Sequence, residues 1–224
     1  MRTNFPDAFI FDLDGTLVDS APAIGLVLNE MRLDLGLEPL ALEFYRQWIS
    51  RGAAGLISHS LDVSSEETAP YIDIFRERYR QLPTPASCVY FGVVDTIASL
   101  SGQGKKIGIC SNKPEYLCQK IIKEIGLEDF ISVIVGGDTL PTSKPCRDPI
   151  DFVIKELGGA SSSAIFIGDS SIDQRASAAA DVPFVFYSGG YDDGVNQSQV
   201  QFSIDQIPQL LTMDFSSYSL SAAH

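Results

Sequence analysis

Five short runs govern what this chain can fold into: Ala8–Leu13, Lys106–Cys110, Ser132–Val135, Ala164–Ile167 and Pro183–Tyr187. Each is rich in β-forming residues and apolar on both faces rather than at every second position. A strand with one wet face alternates, whereas a strand covered on both faces does not. Between the runs lie stretches such as Glu115–Ile125 and Pro149–Leu157, whose apolar residues recur at helical spacing. Alternation of strand and helix predicts an α/β fold, a parallel sheet with helices on both faces.

Residues Ser20 to Leu82 break that rhythm. Ser20-Ala21-Pro22 supplies a capping hydroxyl followed by a proline suited to a first helical turn. Long helical patterns follow, until Pro83-Thr84-Pro85. A crossover of ~12 residues suffices to join parallel strands, so this segment reads as a helical insert. The expected organisation is a Rossmann-like core from residues 1–18 and 86–224 and a helical domain from residues 19–85. The tail from about Ser216 is small and polar, and is expected to fray.

A chain of 224 residues holds one ordinary domain plus a smaller insert, and 45% hydrophobic residues are enough for a sizeable core. The net charge of −13 argues against a broad nucleic-acid or acidic-membrane surface. No apolar run approaches eighteen residues, and the aspartates after Phe11 interrupt any signal-peptide layout. The four cysteines show no C-x-x-C spacing, as expected of free thiols in a reducing cytoplasm. The sequence leaves monomer and homodimer open.

Ligands of open parallel sheets bind beyond the carboxyl ends of the strands. Asp12, Asp14, Gly15 and Thr16 follow the first strand, and Ser111, Asn112 and Lys113 the second. Thr142, Ser143, Lys144 and Pro145 lie in the loop after the third, and Gly168, Asp169, Ser170, Ser171, Ile172 and Asp173 follow the fourth. One edge of the sheet thus gathers four carboxylates, a hydroxyl and a lysine. Carboxylates without His or Cys suit a hard cation such as Mg2+. The hydroxyl, the ammonium and exposed backbone N–H groups suit phosphate oxygens. Two carboxylates at i and i+2 can flank one reacting centre, one as nucleophile and one as acid and base.

These four clusters resemble the four motifs of the haloacid dehalogenase-like hydrolases: DLDGT at Asp12–Thr16, Ser111-Asn112, Lys144-Pro145 and GDSSID at Gly168–Asp173. The helical insert matches the family's cap of the type placed between the first and second motifs. The resemblance implies that Asp12 is nucleophile and Mg2+ ligand, and that Asp14 is general acid and base with its carbonyl on the metal. It implies that Thr16 supports the aspartates and the phosphate, that Ser111 and Asn112 hold phosphate oxygens, and that Lys144 neutralises charge. Asp169 is implied as a metal ligand, with Asp173 beside it, direct or through water.

Within that family Asp14 speaks against dehalogenases, which lack an acid there. No lysine occurs from Met1 to Gly104, so the cap lysine of the phosphonate-hydrolysing branch is missing. The expected activity is a Mg2+-dependent phosphatase acting on a small-molecule phosphate ester. The alternatives are a sugar phosphomutase or a non-catalytic phosphate-binding protein. The segment Trp48–Leu56 resembles the glycine-containing cap segment of the phosphoglycolate phosphatase-like branch, and there Arg51 is the candidate partner for a second anionic group. Arg46 and His59 are weaker candidates. Arg76, Arg78 and Arg80 read as a solvated helix face. Arg147, in a departure from the family's usual form after the lysine, is expected near the phosphate site.

Overall fold

The computed structural model describes residues 6–215; the predicted fraying from Ser216 lies outside them. Its sheet runs through β1 (Ala8–Phe11), β2 (Lys106–Cys110), β3 (Val133–Val135), β4 (Ala164–Gly168), β5 (Phe184–Tyr187) and β6 (Phe202–Ile204). Their spatial order is β3-β2-β1-β4-β5-β6, with every pairing parallel. Five of these strands answer the five apolar runs. β6 was not foreseen: it is a three-residue edge strand whose middle residue, Ser203, is exposed.

β1 shows why a doubly apolar run was the right signal. Phe9 and Phe11 enter one buried cluster, while Ala8 and Ile10 enter another on the opposite face. The first cluster is covered by α5 (Val93–Gly102) and α6 (Glu115–Glu124) through Ile97, Leu100, Leu117 and Ile121. The second lies under α7 (Asp148–Glu156) and α8 (Ser171–Ala179) through Ile150, Val153 and Ala176. With ~25 cal/mol gained per Å² of apolar surface removed from water, both faces of the sheet add to stability.

Between β1 and β2 come α1 (Ala21–Asp34), α2 (Leu42–Ile49), α3 (Ala53–Leu61) and α4 (Thr68–Gln81), which pack on one another. Ile24, Leu28, Tyr45 and Ile57 bury their apolar faces. Arg32 joins three parts of the group: its Nε donates to the Glu38 carbonyl, and one guanidinium nitrogen donates to the Ser60 carbonyl at 2.6 Å. The two connections to the core run side by side. Asp19 N–H donates to the Cys88 carbonyl at 2.7 Å and Tyr90 N–H to the Leu17 carbonyl at 3.1 Å, with Val18 and Val89 in antiparallel register. Among the described residues no helix is long and apolar enough to cross a membrane.

The strand order sets the place of the site. Chain crossovers leave β1 toward β2 and β3 on one side, while β4, β5 and β6 lie on the other. Loops therefore diverge between β1 and β4, which opens a crevice at their carboxyl ends.

Candidate active site

β1 stops at Phe11, but the Asp12 N–H still donates to the Ile167 carbonyl at 2.9 Å, so the nucleophile candidate is fixed by the sheet. The chain then turns tightly, with the N–H groups of Leu17 and Val18 both donating to the Leu13 carbonyl. Gly15 holds φ at +85°, and a Cβ there would lie 2.2 Å from Asp169 Oδ2. Gly190, from the loop after β5, meets the same aspartate from elsewhere, where a Cβ would stand 2.3 Å from Asp169 Cβ. Only glycine fits at either position, and the two loops close on Asp169 because of it. The Asp169 carboxylate accepts from Thr16 Oγ1 at 2.9 Å and from the Tyr191 N–H at 2.7 Å.

Asp12, Asp169 and Asp173 are buried, and each brings one carboxylate oxygen within 4.8 Å of the others. Lys144 Nζ lies 2.9 Å from Asp12 Oδ1 and donates to Asp173 Oδ1 at 2.6 Å. Asp12 Oδ1 is ion-paired by distance but has no aligned hydrogen bond. Burial pushes the Asp12 pKa up to about 7, Lys144 opposes this, and the Asp173 charge adds to it. Burial, then Asp173 and Asp12, lift Asp169 well above the usual carboxylate range. Burial works against the charge of Lys144, yet Asp12 and Asp173 hold its pKa above the ordinary value. Three carboxylates facing one ammonium form an oxygen-only set short of positive charge. These residues fit a hard divalent cation.

Asp173 has a second task. Ser170 caps α8, its Oγ accepting from the Asp173 N–H, while Asp173 Oδ2 accepts from the Ser170 N–H and Oγ. One carboxylate oxygen thus starts the helix and the other meets Lys144.

Asp14 is held differently. Lys113 Nζ donates to both Asp14 oxygens at 2.9 Å and lies 4.4 Å from the centre of the Tyr79 ring on α4. Burial lowers the Lys113 pKa, but Asp14 and Tyr79 more than offset it and the value is raised. Lys113 stands in the second strand-end cluster of the sequence, but its pairing with Asp14 is visible only in the fold.

Ser111 and Asn112 follow β2. The Ser111 N–H donates to the Val135 carbonyl, and its Oγ accepts from the Lys113 N–H at 3.4 Å. Asn112 Nδ2 bridges the Ser50 carbonyl of the helical insert and the Lys144 carbonyl of the core, at 3.0 and 2.9 Å. Arg51 has Nε 3.8 Å from Asp193 Oδ2 and its guanidinium carbon 4.9 Å from the centre of the Trp48 ring. Asp193 Oδ1 also accepts from the Ser171 N–H at the start of α8. His59 stacks on Trp48, ring centres 3.4 Å apart. Arg46 pairs with Asp19 at 3.3 Å, and Asp19 also accepts from the Tyr191 hydroxyl.

Two expectations need correction. Arg147 is exposed and turns to Asp151 at 2.7 Å and Asp181 at 3.9 Å, away from the carboxylate cluster, because its place just before α7 makes the i+4 acid its nearest partner. Arg76 is not part of a solvated face: Arg78 and Arg80 pair with Asp34 and Glu77, but Arg76 lines a cavity it shares with Asp14 and Lys113. Tyr191 and Asp193 were missed altogether. Their signal was present, since Ser188–Gly194 follows the fifth strand at the same edge.

Residues 9–187 match the family described as haloacid dehalogenase-like hydrolase. The chain is 35% identical to a phosphoglycolate phosphatase of Pseudomonas fluorescens strain Pf0-1 over 92% of its own length and 79% of the relative. It is 31% identical to a phosphoglycolate phosphatase of Colwellia psychrerythraea, covering 94% of this chain and 98% of that one. Among solved structures, a predicted phosphoglycolate phosphatase from Haemophilus somnus 129PT superposes with a TM-score of 0.82 at 26% identity, covering 95% of this chain and 99% of the other. With the family matched from β1 to β5 and relatives aligned along nearly the whole length, the chain belongs to the haloacid dehalogenase-like hydrolases, in their phosphoglycolate phosphatase-like branch.

Proposed function

We propose that this phosphatase hydrolyses a small phosphate monoester through an aspartyl phosphate on Asp12, with Mg2+ as cofactor. The observation that carries the reading is the buried set of Asp12, Asp169, Asp173 and Lys144 at one sheet edge, with Asp14 held apart by its own lysine. Phosphoglycolate is the leading substrate, because the curated relatives carry that name, and sugar phosphates are the next class.

In this reading an Asp12 oxygen attacks phosphorus as the bond to the leaving oxygen breaks. Asp14 gives that oxygen a proton. Both Asp14 oxygens accept from Lys113 at rest, so Asp14 must leave this pair and take up a proton from solvent before it can donate. Asp14 then takes a proton from water, the water oxygen attacks phosphorus, and the acyl-phosphate bond breaks to release phosphate and restore Asp12. Ser111 Oγ and the Asn112 N–H hold phosphate oxygens, Lys144 offsets their charge, and Thr16 keeps Asp169 in place. Arg51 is assigned to the side of the substrate that faces the helical insert. Asp12, Asp169, Asp173 and the Asp14 carbonyl would hold Mg2+, which would supply Lewis-acid stabilisation of the phosphoryl oxygens when bound.

Phosphate release from a panel of esters with Mg2+, comparing wild type with Asp12→Asn, tests this. Wild-type turnover that disappears in the variant and in excess chelator is expected. Turnover surviving Asp12→Asn would sink the nucleophile assignment, and turnover surviving chelation would sink the cofactor assignment.

A further inference from the structure

A cavity of about 420 Å³, open solvent included, lies between α4 and the loop after β2. Asp14, Asn112 and Lys113 give it a polar side, and Ile49, Leu56 and Phe75 supply much of the rest. A polyol in such a space would leave hydroxyls against apolar walls without partners. Arg76 is the exception in those walls. Its Nε is buried and has no hydrogen-bond partner among the described residues, an arrangement that destabilises the fold unless something satisfies it. α4 sets Arg76 beside buried Phe75 and one turn before Tyr79, the residue whose ring meets Lys113. Arg76 therefore lines the same compartment as the acid–base candidate. A planar guanidinium with a free inner N–H suits a carboxylate, which it can grip through two parallel bonds. Arg51 differs in this respect, because its Nε already faces Asp193.

We infer that Arg76 is a specificity-determining residue, which binds a carboxylate at the end of the substrate remote from phosphorus. The inference rests on the phosphatase reading above and assigns it a residue that neither the motifs nor the relatives' names supply.

The test compares 2-phosphoglycolate with 2-hydroxyethyl phosphate, which has the same two-carbon frame without the carboxylate. Steady-state kinetics are run on the Mg2+-loaded wild type, Arg76→Gln and Arg76→Lys. Arg76→Gln should raise KM for phosphoglycolate roughly 10- to 100-fold, the effect of losing a charge-assisted pair, with little change in kcat. Its kinetics on hydroxyethyl phosphate should match the wild type, and Arg76→Lys should recover part of the phosphoglycolate KM. Equal losses on both esters, or no loss on either, would overturn the role of Arg76 and leave the phosphatase reading standing. Wild-type protein that releases phosphate from neither ester, nor from any of the wider panel, would count against that reading instead. Calorimetric titration with 3-phosphonopropionate, an analogue that cannot be hydrolysed, then decides for Arg76. Affinity lost in Arg76→Gln supports the assignment; equal affinity in the two proteins, or none in the wild type, overturns it.

Discussion

Asp12 and Asp14 stand two residues apart yet answer to different lysines, Lys144 and Lys113. The separation has measurable consequences. Asp12 is an ordinary acid in the unfolded chain and titrates near 7 in the fold, so the folded state holds its proton more tightly. Its contribution to stability is therefore greatest in acid and is lost as pH rises from about 4 to about 7. In chelator, Asp12→Asn should melt higher than wild type at pH 8 and close to it at pH 4, a gap on the order of 4 kcal/mol. A gap that widens toward acid would refute this account. Lys113→Met should leave Asp14 buried without its partner, which typically costs about 3–5 kcal/mol. We expect a lower Tm and at least a tenfold loss of kcat on any ester the wild type turns over. Residue identities at the strand ends were legible in the sequence because the chemistry demands those types. The pairing of Lys113 with Asp14 was not, since it needs the distance between two loops nearly a hundred positions apart.

The start of α8 shows how an element carries chemistry. Ser170 and Asp173 cap each other while Asp173 also meets Lys144, so helix initiation and site geometry share one side chain. Ser170→Ala should cost about 1 kcal/mol as a lost cap. It should also weaken Mg2+ binding, read by titrating the metal against melting temperature; unchanged affinity would separate the cap from the site. Long elements were plain in the sequence because burial on both faces or on one stripe leaves a period. β6 left none, being three residues long with an exposed middle. The arginine stripe misled for a definite reason. Positions 76, 78 and 80 share a face in a strand, but on a helix successive members turn ~200° apart. Phe75 and Tyr79, at i and i+4 and both buried, mark the inward face of α4, and Arg76 is next to it.

At the scale of the whole molecule, residues from Asp12 to Tyr191 meet around Asp169. A ligand held by all of them should stabilise the entire fold. Mg2+ at one hundred times its Kd should add about 2.7 kcal/mol, or roughly 5–10 °C in Tm for a chain of this size. Asp169→Asn should abolish most of that rise, and an equal rise in the variant would place the metal elsewhere. The central position of β1 also reaches back into synthesis. Ala8 pairs with Lys106 on one side and Ala164 on the other, so the strand that leads into Asp12 leaves the ribosome long before either neighbour exists. At ~5–20 residues per second the wait for both is on the order of ten seconds or more. During that interval Phe9 and Phe11 have no sheet to enter, and the nascent segment offers a binding site to chaperones. A ribosome that stalls before Gly168 leaves a polypeptide that carries Asp12 and lacks the strand that fixes it.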